Sequence, residues 1–328
     1  MTVPERSSHS RASRPGLVLK AGAPAEREVR RLLAALLEVV VANEEGVRQD
    51  RDSELLHDFR VAVRRTRTAL TQIRGVLPSR VVEPFKREFA WLGRLTGPTR
   101  DLDVFLAQKD EYEAEFPSQL RGRLQPVRRF LEARRADELR SLVDGLDSPR
   151  FRCLLADWKA ILRRDEPGSD ATAPRAAIDI VDVAVRDIAR AHGRLLRRGK
   201  TLGETSDAGA LHRVRIDGKK LRYLLEFFRS LFDMDEIRGL IGGLKRLQDA
   251  LGDTNDFGVQ RRVVSEFYEQ SANTGIAAQH MQAMRRLIDI LERKEVCARR
   301  QFAARFEDFG AQATRRRYER LLRTDTSQ

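Results

Sequence analysis

Two stretches of sequence separated by 155 positions decide how this chain folds. Residues 56–67 read LHDFRVAVRRTR, and residues 211–222 read LHRVRIDGKKLR. In this register the histidines coincide, and every later cation of the first stretch meets a cation of the second. The same offset places GPTRDLDV at 97–104 over GDTNDFGV at 252–259. Because two separate motifs share one register, the sequence predicts an internal duplication.

Helical geometry divides the first stretch into two faces. At about 100° per residue, one stripe about 80° wide carries only basic or imidazole side chains. This stripe consists of His57, Arg60, Arg64 and Arg67. Apolar positions such as Phe59 and Val63 lie on a separate face that suits packing against other helices. The second copy presents the matching stripe of His212, Arg215, Lys219 and Arg222.

The charge on these stripes predicts an anionic partner. Residues 57–67 and 212–222 hold seven arginines and two lysines against two aspartates, which supplies +7 of the net charge of +13. Like charges three or four positions apart repel one another on a helix, so a partner outside the helix should neutralise them. Arginine makes forked contacts with phosphate oxygens, which favours a phosphate-rich ligand. The candidate binding residues are His57, Arg60, Arg64, Arg65, Arg67, His212, Arg215, Lys219, Lys220 and Arg222.

Neighbouring residues could extend or support this candidate site. The candidates for extension are Arg94, Arg100, Lys245, Arg246 and Tyr223. Segments 97–103 and 252–256 are each predicted to form a turn followed by a helix start, with Thr99 and Thr254 as N-caps. Asp101 and Asp256 would then either cap these helices or hold basic side chains of the stripes in place by ion pairing.

The rest of the chain predicts an all-α fold. From Ala25 onward, apolar residues recur at intervals of three and four, as in amphipathic helices. Helix breakers occur at residues 50–53, Pro78, Gly97-Pro98, Pro117, 144–149 and 167–174. The last cluster divides the chain near its middle. We therefore predict a flexible N-terminal tail at 1–24, a first helical bundle at 25–166 and a second at 174–325.

Composition excludes several classes of protein. With 41% hydrophobic and 34% charged residues, the chain is too apolar for disorder throughout, and no apolar run reaches the roughly 20 residues of a membrane span. The two cysteines, Cys153 and Cys297, cannot form a disulfide framework, so a cytoplasmic location is expected. No metal-ligand spacing and no glycine-rich phosphate loop occurs, so we predict no cofactor, no metal and no catalytic activity.

The two histidine motifs, together with the segment from Arg100 to Val104, resemble the CHAD family over about residues 25–325. This resemblance implies two pseudo-symmetric antiparallel helical bundles that face each other across a basic channel. It also implies binding of inorganic polyphosphate and, in some members, association with polyphosphate granules. Asn255 stands where the first half has Arg100, and Gly258 where it has Asp103, so the two halves could contribute unequally.

Two other functions stay open at this stage. A nucleic-acid-binding protein would use the same phosphate contacts, although the stripes offer few aromatic side chains for stacking on bases. An enzyme acting on phosphate esters or anhydrides is less well supported. For the leading hypothesis, the histidines beside arginines predict that affinity rises as pH falls. The sequence predicts neither the oligomeric state nor the preferred polymer length.

Overall fold

A computed structural model describes residues 17–163, 171–202, 208–272 and 275–323 of the chain. Across these ranges the chain forms eleven α-helices and two short 3-10 turns, with no β-strand, which confirms the all-α prediction. The helices are α1 Ala25–Arg48, α2 Ser53–Gln72, α3 Ser79–Leu95, α4 Gly97–Ala114, α5 Gln125–Asp147, α6 Pro149–Leu162, α7 Ile180–Gly199, α8 Ala208–Phe227, α9 Met234–Ser271, α10 Ala278–Gly310 and α11 Gln312–Leu322.

Local sequence signals account for several helix boundaries. The Asp52 side chain accepts a hydrogen bond from the Glu54 N–H and so caps the start of α2. Ser148 caps α6 in the same way, and Pro149 occupies the first turn of that helix, where its missing N–H costs nothing. Pro78 directly precedes α3. These breakers lie at helix ends, as their residue types predict.

The helix boundaries repeat at the spacing of the histidine motifs. Helix α8 begins and ends 155 residues after α2, and α7 and α9 begin 155 residues after α1 and α3. Combined, α3 and α4 match the long helix α9 in this register. The repeat of boundaries is what an internal duplication would produce, although the duplication itself stays a prediction.

The prediction of a second turn at 252–256 was wrong. These residues lie inside α9, which runs without interruption from Met234 to Ser271. In the first half, Pro98 lacks the N–H that would continue α3, and a new helix begins at Gly97. The matching position in the second half is Asp253, which keeps its N–H. Thr99 is likewise no N-cap, because α4 has already begun and the Thr99 side chain is fully buried.

The described residues divide into two compact units. Unit 1 draws on the described parts of Met1–Arg100 and Ser141–Asp187, together with Phe227–Phe232. Unit 2 draws on Asp101–Arg140 and on the described parts of Ile188–Glu226 and Asp233–Gln328. Each unit therefore takes segments from both halves, so the units do not coincide with 25–166 and 174–325. The assignment of those halves as bundle repeats stays a prediction.

Unit 1 is built around the apolar faces of α1, α2, α3 and α6. Trp158 of α6 is fully buried and packs its ring against Phe85 and Phe89 of α3, at centroid distances of 4.5 and 5.6 Å. The predicted packing face of α2 is buried along its whole length, including Phe59, which is 0% exposed. Of the predicted tail, Leu19 is buried and its N–H donates to Ser230, whereas residues 1–16 lie outside the described ranges.

Unit 2 has its own core, formed by side chains of α4, α5, α9 and α10. A small polar network is enclosed in it, because the Tyr112 hydroxyl donates to Gln260 at 2.6 Å and the Gln260 amide donates to Gln108 at 2.8 Å. Phe130 and Phe267 stack at a centroid distance of 4.2 Å beside this core. Burial of one face of each helix therefore fixes which side chains remain at the surface of the unit.

Candidate functional site

The basic face of α2 lies against the junction between α3 and α4. Arg60 donates from Nη1 to the Thr96 hydroxyl at 3.0 Å and to the Gly93 carbonyl at 3.4 Å. Arg100 donates from Nη1 to the carbonyl of Ser53 at 3.0 Å. Residues nearer the C-terminal end of α2 thus contact residues earlier in the α3–α4 segment, as expected for antiparallel neighbours.

A glycine in α3 makes room for Arg67. A Cβ atom added at Gly93 would lie 2.9 Å from Arg67 Nη1, so the guanidinium rests against the α3 backbone. Protein atoms around this guanidinium lower the pKa of Arg67, and the charges of Arg94 and Arg64 lower it further. Burial and the two neighbouring arginines therefore both disfavour the charged form of Arg67.

Six basic side chains on the contacting faces of α2, α3 and α4 form a group that we call the α2 cluster. They are His57, Arg60, Arg64, Arg67, Arg94 and Arg100. All six residues belong to unit 1. An acidic side chain at its edge, Glu54, lies 3.2 Å from Arg100 Nη2 and is more than half exposed. The structure thus brings the predicted stripe together with Arg94 and Arg100, which the sequence had suggested only as extensions.

His57 is held in its neutral form by the α2 cluster. Burial is the largest cause, and the charge of Arg100 is the next; together with Arg64 and Arg60 they lower the pKa of His57 to about 4. Glu54 opposes this shift. The direction is the one predicted from the arginines beside His57 in the sequence, although burial contributes more. A neutral imidazole among guanidinium groups can accept a proton once an anion offsets their charge.

The basic face of α8, in unit 2, has acidic side chains close to it. His212 is exposed. Arg215 lies 3.7 Å from a carboxylate oxygen of Asp256 on α9. Arg222 lies 3.7 Å from Glu226 on the same helix. The sequence predicted that Asp256 could hold a basic side chain of the stripe in place by ion pairing. Its contact with Arg215 is compatible with that role, which stays a prediction.

A buried aspartate in α8 was missed by the sequence analysis. Asp217 is 1% exposed and pairs with Arg194 at 3.2 Å and with Arg198 at 2.6 Å, both on α7. It occupies the position that matches Ala62 of α2, on the packing face. A carboxylate at an otherwise apolar helix position was the signal that could have revealed an internal ion pair. This pair joins α7 to α8.

The remaining candidates differ in their accessibility. Arg65 is 6% exposed and Tyr223 is 1% exposed, and the guanidinium of Arg222 lies 5.3 Å from the centre of the Tyr223 ring. Lys219 and Lys220 are partly exposed, whereas Asp101, Lys245 and Arg246 are exposed. Their roles in binding stay predictions.

The described ranges contain neither a metal-binding cluster nor a membrane-spanning helix. No group of three or more His, Cys, Asp or Glu side chains in these ranges is placed to hold a metal ion. None of the described helices combines the length and the apolar character that crossing a membrane requires.

The fold and the two basic faces define an all-helical protein that concentrates cations on particular helices. The sequence pattern of the CHAD domain matches residues 31–265, so the chain belongs to the CHAD family and the resemblance of the histidine motifs is confirmed. The chain is similar to the crystal structure of the CHAD domain from the plant Ricinus communis, with 26% identity, a TM-score of 0.73, and coverage of 90% of this chain and 96% of that one.

A second solved structure, PptA from Streptomyces chartreusis, is similar with a TM-score of 0.65. The alignment covers 87% of this chain and 100% of that one, at 17% sequence identity. At this level of identity, the similarity concerns the fold alone. No curated protein sequence matches the chain significantly.

Proposed function

We propose that this protein binds inorganic polyphosphate, without catalysing a reaction, through the basic faces of α2 and α8. The observation that carries the proposal is the α2 cluster, in which six side chains from α2, α3 and α4 lie close together. Burial, and after it the charges of the arginines, lower the pKa values of Arg67 and His57. A polyanion relieves this repulsion. The CHAD family membership supports inorganic polyphosphate as that polyanion.

As part of this proposal, both basic faces line one channel between two related bundles, as the family resemblance implies. The α2 face is about 15 Å long, from a rise of about 1.5 Å per residue, so it can contact several phosphates of a chain at once. On the α8 face, carboxylates lie near Arg215 and Arg222 and would compete with phosphate. Binding of this kind would place the protein on polyphosphate granules in the cytoplasm.

Nucleic acid is the second candidate, and the aromatic residues disfavour it. Single-stranded nucleic acids bind by stacking bases on exposed aromatic rings, in addition to phosphate contacts. The aromatic side chain next to the α8 stripe is Tyr223, which is buried and lies beneath Arg222. Polyphosphate needs no such platform, because it consists of phosphate groups alone.

The test compares two triple variants that lose the same net charge. Arg60, Arg64 and Arg67 are changed to Gln in the first variant. In the matched control, Arg27, Arg152 and Arg163, which are exposed in unit 1 outside the α2 cluster, are changed to Gln. Titration calorimetry with a polyphosphate of about one hundred units should show a loss of affinity of about 100-fold or more for the first variant, because each charged hydrogen bond contributes about 1.5–3 kcal/mol.

The control variant should lose less than tenfold under the same conditions. Equal losses in both variants would mean that net charge alone attracts the polymer, and the proposed site would be refuted.

A competition experiment separates the two candidate ligands. If polyphosphate fails to displace a bound single-stranded oligonucleotide at equal phosphate concentration, nucleic acid becomes the preferred ligand.

A further inference from the structure

Unit 2 contains a cavity that the basic faces of α2 and α8 do not explain. It has a volume of about 620 Å³ and lies among α7, α8, α10 and α11. Its walls come from the end of α7, from Leu211 of α8, and from α10 between Val296 and Gly310. Pockets of about 300–1,000 Å³ are typical for small molecules, so this one is large enough for a ligand.

Part of the cavity wall is apolar. It is formed by Leu196, Leu202, Leu211, Val296, Phe302 and Phe306. The Phe306 ring reaches this wall by packing directly on Gly199, where a Cβ atom would overlap the ring. An aliphatic or aromatic group is the chemistry that such a wall favours, because it removes apolar surface from water.

Four cations within the described ranges also line the cavity. They are Lys200, Arg299, Arg300 and Arg315, and the acidic side chain among the lining residues is Glu307. Lys200 and Arg300 are exposed, whereas Arg299 is partly committed to Glu295 at 2.7 Å. These cations would therefore attract an anionic group of a ligand in the cavity.

We propose that this cavity binds an amphipathic anion, with an aliphatic chain against the phenylalanines and a single carboxylate or phosphate head among the cations. Polyphosphate itself does not fit this description, because it has no apolar part to cover the wall. A neutral lipid would supply no negative charge to the exposed Lys200 and Arg300. The proposal is independent of polyphosphate binding, since none of the cavity residues belongs to the α2 cluster.

Titration calorimetry on the full chain, with each probe below its micelle concentration, tests this proposal. Decanoate and decyl phosphate represent the two head groups, and decanol and decyltrimethylammonium replace the anion by a neutral or cationic head. We expect both anions to bind and the other two probes to bind at least tenfold more weakly. From octanoate to dodecanoate, affinity should rise about fourfold per CH₂ group, which corresponds to about 0.8 kcal/mol. Equal binding of decanol and decanoate would overturn the proposal, as would the absence of any binding.

Two further variants separate the cavity from general effects of charge. Gly310 lines the cavity and a Cβ atom there would meet no atom within 4 Å, so Gly310→Leu should fill space and reduce decanoate binding by at least tenfold. Replacement of Lys200 and Arg300 by Met should weaken decanoate binding. As a matched control, the same replacement of Arg285 and Arg293, which are exposed on α10 outside the cavity, should leave decanoate binding unchanged.

Polyphosphate affinity is measured on the same proteins, and Gly310→Leu should leave it within twofold of the parent. This measurement also shows that the variant is folded. If Gly310→Leu binds decanoate as tightly as the parent while retaining polyphosphate affinity, the anion binds elsewhere and the proposal fails.

Discussion

Polyphosphate binding should take up a proton at His57. In the absence of ligand, burial and the arginines hold the pKa of this imidazole at about 4, against an ordinary value of 6.5. The charged groups around it are Glu54, Arg60 and Arg64 of α2 and Arg100 of α4. Phosphate oxygens placed among these arginines offset their charge and stabilise the imidazolium, so the pKa of His57 rises in the complex.

The size of the effect follows from linkage between proton and polymer. If the pKa of His57 returns to 6.5 in the complex, affinity increases about 30-fold from about pH 7.5 to about pH 5. Burial, the largest cause of the shift, persists in the complex, so 6.5 is an upper limit. A rise to about 5.5 still gives an increase of about fourfold over the same range.

Titration calorimetry at constant ionic strength measures this linkage in two ways. Affinity is followed against pH with a long polyphosphate, whose internal groups stay ionised throughout. Heats in buffers of different ionisation enthalpy then count the protons taken up on binding. His57→Gln keeps a hydrogen-bonding side chain without the titration, and it should flatten the pH dependence. An identical pH slope in the parent and in His57→Gln would refute this account of the α2 cluster.

Three other outcomes follow from contacts described above. Gly93→Ala should displace the Arg67 guanidinium and weaken polyphosphate binding severalfold in calorimetry. Thermal denaturation should show no loss of stability, because alanine favours the helix by about 1 kcal/mol relative to glycine. A large fall in melting temperature would contradict this. His192 is buried and burial lowers its pKa to about 4, so its contribution to the free energy of unfolding should fall by about 2 kcal/mol from about pH 7.5 to about pH 5. In urea titrations His192→Phe should remove this contribution, since only the unfolded parent gains a proton near pH 6.5, and an unchanged pH slope would argue against it. Asp217→Asn should cost about 3 kcal/mol in the same urea assay by leaving Arg194 and Arg198 without their carboxylate, and a cost below about 1 kcal/mol would show that the pair contributes little.

Local sequence signals predicted the helices and the α2 stripe well, because both depend on spacing within a single helix. Phe59 and its neighbours recur at helical intervals, so their burial, and the orientation of the stripe opposite them, could be deduced without coordinates. Breakers that act through the backbone, such as Pro78, were equally reliable. The exception was the segment at 252–256, where likeness to the first half suggested a turn although the proline that causes the turn is missing.

Features that depend on packing between helices were not accessible in the same way. The approach of Arg67 to Gly93 could be predicted only from the way α2 packs on α3. The sequence alone does not indicate which side chain contacts a glycine inside a helix. The cavity in unit 2 was also unpredictable, because its apolar side chains are ordinary members of amphipathic helices. The division into two compact units was inaccessible for a related reason, since it depends on contacts between distant segments.

The way in which both units draw on both halves has a consequence for dissecting the protein. A cut in the segment 164–170 would give two pieces, neither of which holds all the segments of either unit. Expressed separately, each piece would expose apolar surface and aggregate. Expressed together, they should recover a native structure by fragment complementation, so a split version of this protein could report on the association of two fused partners.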